Sequence, residues 1–198
     1  EPNMTQSDTQ VVQPEVALIV GGGPGISASC ARLFADNGMR VAVAARNPDK
    51  PVLQALEKTH GVRRYACDAA EPASVQRLFE EVTRDLGTPT LVLHNIDGRS
   101  AGILRKPITE ADPALALDVL RNAAFSAYLV GQHAARLMLG QQANANGTKG
   151  TIIFTNASAA LKGFPLSAAF AMSCQAKAGL AQSMARELMP QGIHVVNV

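Results

Sequence analysis

Short β-branched apolar runs alternate with helix-like stretches from Val16 to the end of the chain, and the first run feeds directly into a cluster of glycines. Val16 to Val20 is apolar at every position, as a strand buried on both faces must be. It ends at Gly21-Gly22-Gly23-Pro24-Gly25. Ile26 to Asn37 then has apolar spacing suited to a helix, closed by Gly38. The rhythm repeats. Strands are predicted at Val41 to Ala45, Val62 to Cys67, Thr90 to His94, Thr151 to Thr155 and Ile193 to Val198. Between them, the turn Arg46-Asn47-Pro48 is read with its proline opening the next helix. Further helices are expected from Glu71-Pro72 to Leu86, as one long helix from Pro113 to Leu139, and from Phe164 or Ser167 through Met189. Gln141 to Gly150 reads as a polar, mobile loop.

Strands apolar on both sides, joined by helices, imply a parallel sheet covered on both faces. Right-handed crossovers then lead to a Rossmann-type doubly wound sheet of at least six strands in an αβα sandwich of three layers. Nothing divides the chain internally, so a flexible tail over 1–14 and a single dinucleotide-binding domain over 15–198 are expected.

With 18 basic and 16 acidic residues dispersed along 198 positions, there is no basic stripe of the kind a nucleic-acid partner requires. No apolar run reaches the roughly 18–20 residues of a membrane span. Glu1 to Gln13 lacks the layout of a signal peptide, and a cytoplasmic protein is expected. Cys30, Cys67 and Cys174 are unclustered in apolar surroundings, which reads as reduced core thiols with no metal site.

Gly21, Gly23 and Gly25 lie between the first strand and the first helix. Glycine there lets backbone N–H groups approach a pyrophosphate, and the helix N-terminus opened by Ile26 adds donors and partial positive charge. Arg46 follows the second strand, where an acidic residue would bind the adenosine ribose. A cation suits a 2′-phosphate instead, so NADP(H) is expected over NAD(H). Asp68, followed by Ala69, sits at the carboxyl edge after the third strand. It can accept a hydrogen bond from the adenine amino group or cap the following helix.

Together these landmarks resemble the short-chain dehydrogenase/reductase family from Val16 onward. The family's T-G-x-x-x-G-I-G turn is matched by Val20-Gly21-Gly22-Gly23-Pro24-Gly25-Ile26-Ser27, with Val20 and Ser27 departing from it. Cys67-Asp68-Ala69 is similar to its adenine-contacting segment. His94-Asn95-Ile96-Asp97 is similar to its N-N-A-G, keeping Asn95. Ala185 to Leu188, Pro190 and Gly192 to Val195 are similar to its closing helix and sixth strand.

In the family a Tyr exchanges a proton with the substrate oxygen, a Lys holds the nicotinamide ribose and lowers the Tyr pKa, a Ser binds the substrate oxygen, and an Asn completes the set. Aligned without gaps back from Pro190 and Gly192, Phe170 falls on the Tyr, Cys174 on the Lys, Ala157 on the Ser and Ala123 on the Asn. A rival register puts Lys177 on the Lys and Ser173 on the Tyr, but it deletes three residues from a packed helix, rotating the rest by roughly 60°.

The resemblance therefore implies an atypical NAD(P)(H)-dependent oxidoreductase acting on a small carbonyl or alcohol. The loss of four polar positions equally implies a non-catalytic NADP(H)-binding sensor or regulator. A scaffold that binds no cofactor is a third reading, because Ser27, Ile96 and Asp97 crowd the cofactor path. Substitute groups are conceivable. Lys177, seven residues beyond Phe170, shares nearly the same helical face and could reach back toward it, although a lysine snorkelling at the surface is the simpler reading. Ser158 and Asn122 stand one position from the family's Ser and Asn, an offset that turns a side chain away. Asp97 either places a carboxylate near the cofactor or obstructs it. His133 reads as an interface or surface residue rather than a catalyst, and Cys174 as an inert buried thiol.

The resemblance also implies a homodimer or homotetramer through the two long helices. The family's substrate-contacting segment lies largely after the sixth strand, where this chain stops, so no substrate can be named from sequence.

Overall fold

The computed structural model describes residues 13–198; most of the tail expected over 1–14 lies outside them. Six strands form one sheet: β1 (Val16–Val20), β2 (Arg40–Ala45), β3 (Arg63–Ala66), β4 (Leu91–His94), β5 (Gly150–Phe154) and β6 (Ile193–Asn197). Their order is β3-β2-β1-β4-β5-β6 and every pairing is parallel. This is the doubly wound Rossmann-like arrangement that the alternation predicts.

Period-two geometry divides the core between the two faces. Val16, Leu18 and Val20 point to one side, against α3 (Pro72–Leu86), α5 (Ser126–Leu139) and α6 (Ala168–Leu188). Ala17 and Ile19 point to the other, against α1 (Ile26–Asp36) and α2 (Pro51–His60). All five residues of β1 are buried, as expected of the central strand of a two-sided sheet.

Two elements differ from their sequence reading. Pro48 does not open α2; the Asn47 side chain accepts the Asp49 N–H at 2.9 Å and holds Pro48 in a turn, and Pro51 takes the first helical position. The helix expected over Pro113–Leu139 is interrupted. α4 (Pro113–Leu120) passes into a π-helical turn, Arg121–Phe125, before α5 begins. There the Ser126 N–H bonds the Arg121 carbonyl five residues back, and the Ser126 hydroxyl takes the Asn122 carbonyl at 2.5 Å. A side chain thus satisfies a carbonyl that the wider turn leaves over.

The strand order reverses between β1 and β4, so the loops after their carboxyl ends diverge and leave a crevice.

Candidate functional site

Two adjoining cavities open at this crevice. The larger, about 520 Å³, is walled by the turn after β1, by Arg46 and Lys50 after β2, by Asp68 and Ala69 after β3, and by Asn95 to Ser100 after β4. The smaller, about 210 Å³, continues past Asn95 and Arg99 to Ala157, Phe170, Cys174 and Lys177.

The glycines divide their labour. Gly21 has φ +106°, and a Cβ there would overlap the Asn95 carbonyl. Gly22 packs on Val43 and Leu53, where a Cβ would come within 2.7 Å of Val43. Gly23 and Gly25 face open space, and a Cβ at either would meet nothing within 4 Å. The first two build the turn; Gly23, which lines the larger cavity, leaves its backbone open to a ligand. Ser27 does not crowd the cleft. It is buried beneath the turn, its hydroxyl donating to the Gly21 carbonyl at 2.8 Å and accepting from Asn95 Nδ2 at 2.7 Å. Asn95 Oδ1 in turn accepts from the Thr155 hydroxyl at 2.8 Å. One relay therefore ties together the ends of β1, β4 and β5.

Arg46 is exposed at the rim of the larger cavity. Lys50, which sequence reasoning passed over, joins it there, and its Nζ donates to the Gly22 carbonyl at 2.8 Å. Only its fixed distance from the second strand could have singled it out. Asp68 lines the same cavity, accepting the Ala70 N–H at 3.0 Å; the cap position of α3 belongs to Glu71.

The smaller cavity holds the four positions that the gapless alignment assigns to the tetrad: Ala123, Ala157, Phe170 and Cys174 all line it. Ala123 packs against Gly98, which has φ +72°. Asn122 lines the larger cavity instead, and Ser158 is exposed on a 3₁₀ turn, outside both linings. Lys177 is not at the surface. It is 3% exposed, and its Nζ donates to the carbonyls of Ile96 at 2.7 Å and Thr155 at 3.1 Å. Burial lowers its pKa to about 8 against the pull of Cys174 and Asp97. Burial raises the pKa of the Cys174 thiol, with the Lys177 and Arg99 charges opposing the shift.

Asp97 clamps Arg99 through Nε at 2.9 Å and Nη2 at 2.7 Å, and the guanidinium lies 4.5 Å from the Phe170 ring centre. Behind the site, fully buried His94 is paired with Ser126 at 2.8 Å. Burial and the Lys177 charge hold its pKa well below the ordinary value, so the ring is neutral. His133 is remote, stacked on Phe79 between α3 and α5.

Residues 21–198 match the family model described as enoyl-(acyl carrier protein) reductase. This chain belongs to the short-chain dehydrogenase/reductase (SDR) family. It is 28% identical over 188 residues to a (21S)-21-acetoxyl-apo-melianone synthase SDR of Melia azedarach, covering 93% of this chain and 65% of the relative. To a Bos taurus 3-oxoacyl-[acyl-carrier-protein] reductase it is 26% identical, covering 91% of this chain and 72% of the relative. Among solved structures, a short-chain dehydrogenase from Rhodopseudomonas palustris superposes with a TM-score of 0.80 at 31% identity, covering 92% of this chain and 82% of that one. The SDR chain thus spans less than two thirds of some curated relatives, 61% in the case of short-chain dehydrogenase reductase 4 of Arabidopsis thaliana. Among the described residues, no cluster of His, Cys, Asp or Glu could hold a metal ion, and no helix is long and apolar enough to cross a membrane.

Proposed function

We propose that this SDR binds NADP(H) and acts as an oxidoreductase on a small carbonyl or alcohol, with Lys177 exchanging the proton at the substrate oxygen. The observation that carries this reading is the buried Lys177 ammonium in the wall of the smaller cavity, directly beyond the dinucleotide-shaped cleft. The cleft fits the cofactor: Gly23 leaves the turn open to a pyrophosphate, and Arg46 and Lys50 supply two cations at the adenosine end. When bound, the nicotinamide supplies or takes up hydride. Two backbone carbonyls orient the Lys177 ammonium and leave its third proton free. A pKa near 8 lets it lose or regain that proton close to neutral pH.

Fluorescence titration with NADPH and NADH, followed by NADPH oxidation across a carbonyl panel, tests the proposal. NADPH should bind at least about tenfold tighter than NADH, and Arg46→Ala with Lys50→Met should erase the preference, since each charge-assisted contact to phosphate contributes about 1.5–3 kcal/mol. Lys177→Met should abolish turnover without abolishing NADPH binding. Turnover that survives Lys177→Met removes the lysine from the chemistry.

A second reading rests on the absence of any hydroxyl at Ala123, Ala157, Phe170 and Cys174. It is a cytoplasmic NADP(H)-binding sensor or regulator without catalysis, and the same experiment would return binding with no turnover on any carbonyl.

A further inference from the structure

Resting on that oxidoreductase reading, we propose that Arg99 anchors an oxyanion of the substrate, which makes the substrate a short-chain oxo or hydroxy acid. The inference starts from which donors in the smaller cavity already have partners. Asn156 is saturated: its Nδ2 donates to the Cys174 carbonyl at 3.0 Å and to Asn197 Oδ1 at 2.8 Å, while its Oδ1 accepts the Ala157 N–H. The Thr155 hydroxyl is committed to Asn95, and the Ser173 hydroxyl faces the Val119 carbonyl at 3.4 Å. What remains among the described side chains is one amide proton of Asn95, the third ammonium proton of Lys177, the Nη1 edge of Arg99 and the weak S–H donor of Cys174.

Arg99 is exposed at the mouth of the cavity, but it is held in place. Its own N–H and its Nε and Nη2 all go to Asp97, which fixes the guanidinium plane. That plane rests on the ring of Phe170, a residue 71 positions later in the chain, and Arg99 lines both cavities at their junction. A clamped, ring-stacked guanidinium with a free edge is suited to hold a carboxylate in one orientation. Asp97 neutralises one of the two cations facing the pocket, so the pocket retains a net positive charge. The two unpartnered N–H groups, on Lys177 Nζ and on the Nη1 edge of Arg99, match two oxygen centres on one molecule, the reacting carbonyl oxygen at Lys177 and a carboxylate at Arg99. The smaller cavity, about 210 Å³, has room for a molecule of a few carbons.

Calorimetric titration of the full chain saturated with NADP⁺ tests this, using 2-oxobutyrate, acetoacetate and butan-2-one. At least one acid should bind about ten- to a hundredfold tighter than the neutral ketone, the range expected of a charge-assisted pair. Arg99→Gln should erase that preference while NADP⁺ affinity stays within about threefold, and Arg99→Lys, which keeps the charge without the fork, should retain part of it. Retained NADP⁺ binding shows that each variant is folded. The proposal is overturned if the wild type prefers neither acid, if the preference survives Arg99→Gln, or if Arg99→Gln weakens NADP⁺ in step, which would assign the guanidinium to the dinucleotide. A wild type that binds no NADP⁺ defeats the oxidoreductase reading separately, and the acid-against-ketone comparison in its absence still decides the role of Arg99.

Discussion

At neutral pH the Lys177 ammonium keeps its charge at 3% exposure, with two backbone carbonyls as its hydrogen-bond acceptors. Its pKa is lowered to about 8 in the folded protein from an ordinary 10.5. Between those values the unfolded chain binds more protons at this site, so the Lys177 contribution to stability rises with pH through that window. Below pH 8 the charged form carries its full burial cost, on the order of 3 kcal/mol over the window. Cys67 and Cys174 work in the opposite direction above about pH 9, because burial raises their pKa above the ordinary 9.0. The difference between wild type and Lys177→Met isolates the lysine. In urea unfolding from pH 7 to 10, that difference should move in favour of the wild type as pH rises, by up to about 1.4 kcal/mol per pH unit. A flat difference would mean that the ammonium is hydrated. The sequence placed Lys177 on the right helical face but read it as a surface residue, because periodicity reports direction and not how deep the neighbouring loops lie. The Arg99–Phe170 stack was hidden for a related reason: it joins a loop to a helix that meet only in three dimensions.

At the scale of elements, the turn between β1 and α1 makes a separable prediction. Gly21→Ala forces a side chain into a positive-φ position against the Asn95 carbonyl and should lower stability by about 2–4 kcal/mol or prevent folding. Gly23→Ala meets no atom within 4 Å and needs no positive φ, so its thermal midpoint should stay within about 2–3 °C of wild type, equivalent to roughly 0.5 kcal/mol. Its cost should appear in NADPH affinity instead, where the methyl occupies the ligand's approach. Equal losses of stability in both variants would contradict this division. Ser27→Ala leaves the Gly21 carbonyl and an Asn95 amide proton without their partner, and chemical denaturation should show a loss of about 1–3 kcal/mol. The alternation of strands and helices was legible because burial on both faces enforces continuous apolar runs, and strand limits fell within a residue or so of the structure. The π-helical turn was not legible, since one additional residue per turn barely disturbs an Ala-rich pattern, and its cause is a serine whose hydroxyl satisfies a carbonyl. Nor could glycine spacing alone separate Gly21 and Gly22, which the fold requires, from Gly23, which lines the cleft and where a Cβ would meet nothing.

For the whole molecule, the open question is what covers the outer face of the helical layer formed by α4, the π-helical turn, α5 and α6. Leu117 is 63% and Tyr128 46% exposed, and Phe125 stacks on Tyr128 with ring centres 6.3 Å apart. Beside them a groove of about 260 Å³ between α5 and α6 is lined by Ala135, Leu139, Leu180 and Met184. Spacings of three and four residues put Phe125, Tyr128 and Gln132 on one stripe, and contiguous apolar surface of this kind marks an interaction face. A second copy of the chain, related by a twofold axis, would lay the same stripe against itself. Sedimentation at tens of micromolar should then give a species of about twice the 20.8 kDa chain mass, or four times if a further face pairs. Phe125→Glu combined with Tyr128→Glu places charges opposite like charges across such an axis and should return the single-chain mass. Neither Phe125 nor Tyr128 lines either cavity of the cleft, so the double variant should still bind NADPH with an affinity within about threefold of wild type. A wild-type chain that sediments only at 20.8 kDa would refute self-association through this face.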